Sequence, residues 1–165
     1  MTQVFIGVGS NEGDRQAMLD LARETMNHLP KTRLVGWSNI YETDAVGPIP
    51  QGKYLNAAAE LVTQLSPTEL LNALERIEQE AGRPPLDRRI KWGPRTLDLD
   101  ILLFGDLVVR QQNLVIPHPL MHERYFVLKP LADLAPGAAH PQLEMTVDEL
   151  LQDVCQSGTG SQANQ

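Results

Sequence analysis

Apolar positions along the chain switch between a near-continuous β-type spacing and a helical i, i+3, i+4 spacing, and each switch marks a new element. Residues 3–8 are a short apolar run that predicts a strand, closed by Gly9-Ser10-Asn11. Met18, Leu21, Ala22, Thr25, Met26 and Leu29 then fall on one face of a helix expected over 14–29, which Pro30 ends. Residues 32–43 and 54–65 predict two further strands, separated by the loop DAVGPIPQGK. Ser66-Pro67-Thr68-Glu69 combines a capping serine, proline at the first helical position and glutamate three residues on. It starts a helix running to about 81, with Leu70, Leu71, Leu74 and Ile77 inward and Gly82 as the stop.

After a cationic loop over 83–95, the run 97–104 predicts a strand, and Gly105-Asp106 a hairpin turn to 107–110. Helices are expected at 122–132 and 147–154, the second with Thr146 as cap and Glu149 completing its capping box. The order β, α, β, β, α, β, followed by hairpin and helices, predicts an α+β fold. The expected architecture is a ferredoxin-like antiparallel sheet with helices on one face, an added hairpin and C-terminal helices. No repeat or linker divides the chain, so one domain over 1–155 is expected, with 156–165 (QSGTGSQANQ) as a disordered tail.

Composition narrows the functional classes. A hydrophobic content of 42% over 165 residues supports a substantial core. The start, MTQVFIGVGSNEGDR, has no basic leader, and no run is long and apolar enough to span a bilayer. One cysteine, Cys155, forms no internal disulfide, and a cytoplasmic location is expected. Net charge of −7 argues against general nucleic-acid or anionic-membrane binding. Yet Arg83, Arg88, Arg89, Lys91 and Arg95 crowd one loop, as a site for a small phosphorylated ligand would require.

The sharpest chemical feature is Asp98-Leu99-Asp100 inside TLDLDILLF. Alternation along a strand points both carboxylates to one face, about 7 Å apart. Beside phosphate-binding cations they suit Mg²⁺, which takes carboxylate and phosphate oxygens; otherwise they form a solvated outer face or pair with the arginines. Trp92 is suited either to stacking on a flat ring or to pinning the loop to the core. No GxxxxGK[ST] or GxGxxG motif occurs, so a nucleotide would be held by metal, arginines and backbone. Glu78 lies at the border of the buried helix stripe and could reach a ligand. His118, between Pro117 and Pro119, is either a phosphate contact or an ordinary loop histidine.

The segment WGPRTLDLDILLFG resembles the 6-hydroxymethyl-7,8-dihydropterin pyrophosphokinase family. IGVGSN, SNIYETDAVGP, YLNAA, ELLNALERIEQEAGR and IPHPLMHERYFVLKPL support the resemblance in order, to about residue 150. It implies two Mg²⁺ ions, ATP and the pterin alcohol as substrates, and transfer of the β,γ-diphosphate with release of AMP. It further implies Asp98 and Asp100 as metal ligands and a pterin pocket of Thr43, Val46, Tyr54, Asn56 and Phe126. Glu78, Ile101, His118, Arg124 and Arg95 match nucleotide-side positions, and Arg83, Trp92 and Arg95, with Arg88 or Arg89, the catalytic loop. Asp44, Asn113 and Val115 depart from the familiar pattern. A monomer is expected. The competing readings are a non-catalytic ferredoxin-like binding module and a metal-dependent phosphotransferase with another acceptor.

Overall fold

In the computed structural model, residues 1–45, 47–82 and 96–157 are described. The chain runs β1 (Thr2–Ser10), α1 (Arg15–Met26), β2 (Thr32–Trp37), β3 (Tyr41–Thr43), β4 (Tyr54–Thr63) and α2 (Pro67–Glu80). It continues with β5 (Asp98–Phe104), β6 (Val109–Gln111), β7 (Leu114–Ile116), α3 (Tyr125–Leu134), β8 (Ala139–His140), β9 (Met145–Thr146) and α4 (Val147–Gln156). A single 3-10 turn, Met121–Glu123, precedes α3.

The main sheet has the order β2-β4-β1-β5, with β3 also paired to β4, and every pairing is antiparallel. This is the ferredoxin-like order expected of the βαββαβ pattern. Val4, Ile6 and Val8 of β1 face α1 and α2, where they pack with Leu19, Met26, Leu70 and Leu74. Phe5 faces the other way, into a second core with Leu128 and Leu131 of α3 and Leu150 and Val154 of α4. The C-terminal helices thus close the sheet face that the first two helices leave open. Among the described residues, no helix is long and apolar enough to cross a membrane.

The predicted helix starts hold in detail. Ser66 accepts from the Glu69 N–H at 3.1 Å while Glu69 accepts from the Ser66 N–H at 2.9 Å, and Thr146 with Glu149 repeats the arrangement at α4. Asp14 caps α1 by accepting from Ala17 N–H at 3.1 Å.

Four boundaries differ from the sequence expectation. Gly9 and Ser10 belong to β1, paired with Asn56 and Leu55, rather than to a turn. The strand expected over 32–43 breaks at Ser38, whose hydroxyl accepts the Ala58 N–H at 2.7 Å in place of a ladder bond. Gly105, at φ +55, turns the chain after β5, but the hairpin is β6 on β7, not β6 on β5. The third helix starts at Tyr125 because the preceding residues are taken up by the 3-10 turn.

Tyr41 Oη donates to Asp133 Oδ2 at 2.6 Å, tying β3 to α3. Leu128, with no exposed surface, is the apolar contact that seats α3 on the sheet. Leu128→Ala is expected to cost about 2–5 kcal/mol in denaturant unfolding, as buried leucine truncations do. A loss below about 1 kcal/mol would contradict this packing.

Candidate active site

The site grows out of the register of three strands. Gly9 of β1 sits between Asn56 of β4 and Asp98 of β5, and Gly7 sits between Ala58 and Asp100. Directly paired residues in a sheet project to the same face. Asp98, Asp100, Asn56 and Ala58 therefore share the face covered further along by α3 and α4, while Leu99 and Ile101 point into the opposite core. A β-bulge leaves Leu102 as an extra residue, so Leu102 and Leu103 both turn toward α3 and α4.

β5 is the edge strand, and its outer edge is capped by side chain and loop. Glu78, only 4% exposed, accepts the Leu99 N–H at 2.8 Å. The His118 N–H donates to the Leu102 carbonyl at 3.0 Å. Glu78 thus grips the amide between the two aspartates, a role its position on the helix did not announce. Both aspartates are half-buried. Their donor set fits Mg²⁺: two carboxylates on one face leave positions for water and phosphate oxygen. Among the described residues, no group of three or more His, Cys, Asp or Glu gathers into an all-protein cage.

On the β4 side, Asn56 Nδ2 donates to Thr43 Oγ1 at 2.6 Å, and both residues are buried. Asn11 Nδ2 donates to Gln51 Oε1 at 2.6 Å and to the Gly52 carbonyl at 3.2 Å, fixing the loop before β4 to the end of β1. α3 packs over β4 and carries Phe126 in its first turn, with Arg124 Cζ 5.5 Å from the Phe126 ring centroid. Thr43, Tyr54 and Asn56 therefore stand together on the β3–β4 pair, Phe126 lies in the first turn of the helix packed over β4, and Val46 lies outside the described residues. Ser10 Oγ and Thr96 Oγ1 are buried hydroxyls without a hydrogen-bond partner at the same end of the sheet. Such orphaned groups are uncommon and often mark a functional site.

His118 Nδ1 accepts the Leu120 N–H at 3.2 Å, which leaves Nε2 as the protonated nitrogen of the neutral ring. Burial, then the nearby Arg124 charge, pushes its pKa down to about 4, against an opposing pull from Asp98. Arg124, His118 and Asp98 therefore share one electrostatic neighbourhood. His118 also lines a cavity of about 500 Å³ with Arg110, Val115, His122 and His140. Ile101 is 5% exposed and packs in the core, so its side chain presents little surface to a ligand. Arg83, Arg88, Arg89, Trp92 and Arg95 lie outside the described residues.

A ferredoxin-like sheet carrying paired carboxylates near a histidine and an arginine fits the class of small phosphoryl-transfer enzymes. The sequence pattern of the 7,8-dihydro-6-hydroxymethylpterin-pyrophosphokinase family matches residues 5–136, and the chain belongs to that family. The chain is 45% identical over 139 residues to a protein of Pseudomonas aeruginosa named 2-amino-4-hydroxy-6-hydroxymethyldihydropteridine pyrophosphokinase, covering 84% of each. A Bacillus subtilis protein of the same name is 45% identical over 130 residues, covering 79% of this chain and 76% of its own. In fold, the chain is similar to a Plasmodium falciparum HPPK-DHPS structure with pteroate (TM-score 0.72, 16% identity), matching over 99% of its length but spanning 45% of that larger chain.

Glu78→Ala should destabilise the protein by about 1–3 kcal/mol, the cost of an orphaned buried amide. Faster hydrogen exchange at the Leu99 amide checks the cause; unchanged exchange there would remove the capping role. The folded-state pKa of His118, about 4, lies below the ordinary value of 6.5. Its contribution to stability is thus fully present above 6.5 and is lost as pH falls toward about 4. Ring ¹⁵N shifts at pH 6 should report a neutral Nε2–H ring, and His118→Gln should flatten this part of the stability profile.

Proposed function

We propose that the protein transfers the β,γ-diphosphate of ATP to the hydroxymethyl group of 6-hydroxymethyl-7,8-dihydropterin, releasing AMP. The observation that carries the reading is the cross-strand row Asn56–Gly9–Asp98 in a chain of this family. An amide for a flat heterocycle and a carboxylate for metal–phosphate stand about 10 Å apart, twice the strand spacing, with bare backbone between them.

The pterin lies over the sheet with Phe126 against its ring and Asn56, Thr43 and Tyr54 around its edge; Val46, outside the described residues, matches the family's pterin pocket in sequence. Asp98 and Asp100 hold two Mg²⁺ ions, which when bound neutralise and orient the triphosphate. The pterin hydroxyl oxygen attacks Pβ; the new O–Pβ bond forms as the bond from Pβ to the oxygen shared with Pα breaks. AMP departs with that oxygen, and the hydroxyl proton is released. The neutral His118 donates Nε2–H to a phosphate oxygen, and Arg124 adds positive charge beside it. Glu78 holds the strand beneath the aspartates, while Ile101, whose side chain is in the core, offers the nucleotide its backbone. By the family's motif, Arg83, Arg95, Trp92 and Arg88 or Arg89, outside the described residues, serve the transferring group, where arginine charge stabilises the transition state.

A reducing cytoplasm suits the exposed single thiol of Cys155.

Incubation with MgATP and the pterin, followed by nucleotide chromatography, should yield AMP and pterin diphosphate in equal amounts, and neither with EDTA. ADP as product would replace this reading with a simple kinase. Asp98→Ala and Asp100→Ala should each abolish turnover with the melting temperature retained; near-normal activity in either would remove the metal assignment. Arg95→Ala should lower kcat more than it raises KM, as expected of a group that binds the transition state preferentially.

A further inference from the structure

Glycine in the middle of a strand weakens it and gives up a packing side chain, so a strand-interior glycine often marks the close approach of another group. Gly9 is such a glycine: it is paired on one side with Asn56 and on the other with Asp98, in the central strand. A Cβ built there would lie 3.3 Å from Tyr54 Cδ1 and 3.5 Å from Asn56 Oδ1. Carbon against a ring settles at about 3.5–4.0 Å, so the ring would have to move. Tyr54 is the residue that must give, while Asn56 Oδ1 stays at ordinary contact distance. Asn56 has little freedom to follow, because its amide nitrogen is fixed to buried Thr43 at 2.6 Å.

Gly7 is different. The atoms nearest to a Cβ there are side-chain carbons of Leu102, from 3.4 Å, at the edge of ordinary contact. Glycine's conformational freedom does not explain Gly9 either, since its φ is not among the positive values that favour glycine. Space, not backbone geometry, is what the missing side chain provides.

We propose that Gly9 is a positioning residue for the acceptor substrate. Its bare backbone keeps Tyr54 and Asn56 in register and leaves the gap across which the hydroxymethyl group of the heterocycle reaches the metal-held phosphate at Asp98. The proposal rests on the pterin reading above and adds the group that sets where the acceptor sits along the row.

The test uses the full chain with Gly9→Ala and Gly9→Val, and Asn56→Ala in parallel. Binding of 6-hydroxymethylpterin is followed by its fluorescence in the presence of Mg²⁺ and a non-hydrolysable ATP analogue. Mg²⁺–nucleotide binding is measured by calorimetry, and the melting temperature is recorded for each variant. Gly9→Ala should weaken pterin binding by roughly two- to tenfold, because Tyr54 has to give by only a few tenths of an ångström and a full 1 Å misplacement costs about a hundredfold. Gly9→Val should weaken it further. Nucleotide affinity and melting temperature should stay at the parent values in the alanine variant.

Parent-like pterin binding by Gly9→Ala, with Asn56→Ala weakened, would overturn the role of Gly9 alone. Parent-like binding by Asn56→Ala would remove the pterin site itself and this proposal with it. A large drop in melting temperature for Gly9→Ala would assign the glycine to sheet packing and overturn the positioning role.

Discussion

The antiparallel pairing of β5 along β1 is the constraint on which the rest of the structure depends. It brings Asp98 and Asp100 opposite Gly9 and Gly7, so two carboxylates stand over a floor without side chains. An edge strand bearing like charges has little reason to stay straight by itself. Here its outer amide at Leu99 is held by the buried Glu78 carboxylate, and its outer carbonyl at Leu102 by the His118 amide. Both contacts come from segments distant in the chain, so helix, strand and loop fix one another at the place where the carboxylates project. A satisfied buried network of this kind rigidifies its surroundings, whereas a partly satisfied one is costly.

The two cores divide the labour around that pairing. The face toward α1 and α2 is apolar through its middle, with buried Ser10 at one end and buried Thr32 and Thr63 at the other. The face toward α3 and α4 is apolar only over part of its area, through Phe5, Ala58, Leu102 and Leu103. Beyond them the same face becomes Asn56, Gly9 and Asp98, and the helices stop short. α3 reaches this boundary with Arg124 and Phe126 in its N-terminal turn, fixed by the Tyr41–Asp133 bond and by Leu128. The proposed acceptor and phosphate sides are thus two ends of one sheet face, and transfer between them needs little domain motion in the scaffold.

Much of this is written in local sequence. TLDLDILLF alternates strictly at its start, so the shared face of the two aspartates follows from strand geometry. Ser66 with Glu69, and Thr146 with Glu149, announce their helices because capping is a local hydrogen-bond pattern. What local pattern does not carry is long-range pairing. Glu78 looks like a border glutamate on its helix, and only the tertiary fold delivers it to Leu99, 21 residues away. The break at Ser38 depends on Ala58 across the sheet, and the pairing of β6 with β7 depends on where the chain goes after Gly105. Gly9 gave a turn signal by composition, yet pairing on both sides holds it in the strand.

The proposed metal site is the Asp98–Asp100 face of β5, beside Gly9. Mn²⁺ in place of Mg²⁺, added with a non-hydrolysable ATP analogue, broadens amide NMR signals in proportion to their nearness to the ion. With the ion there, the amides of Gly7, Gly9, Leu99 and Asp100 should disappear first, and Asp98→Asn with Asp100→Asn should restore them. Broadening centred instead on the His122 and His140 amides, with the β1 and β5 signals intact, would contradict it.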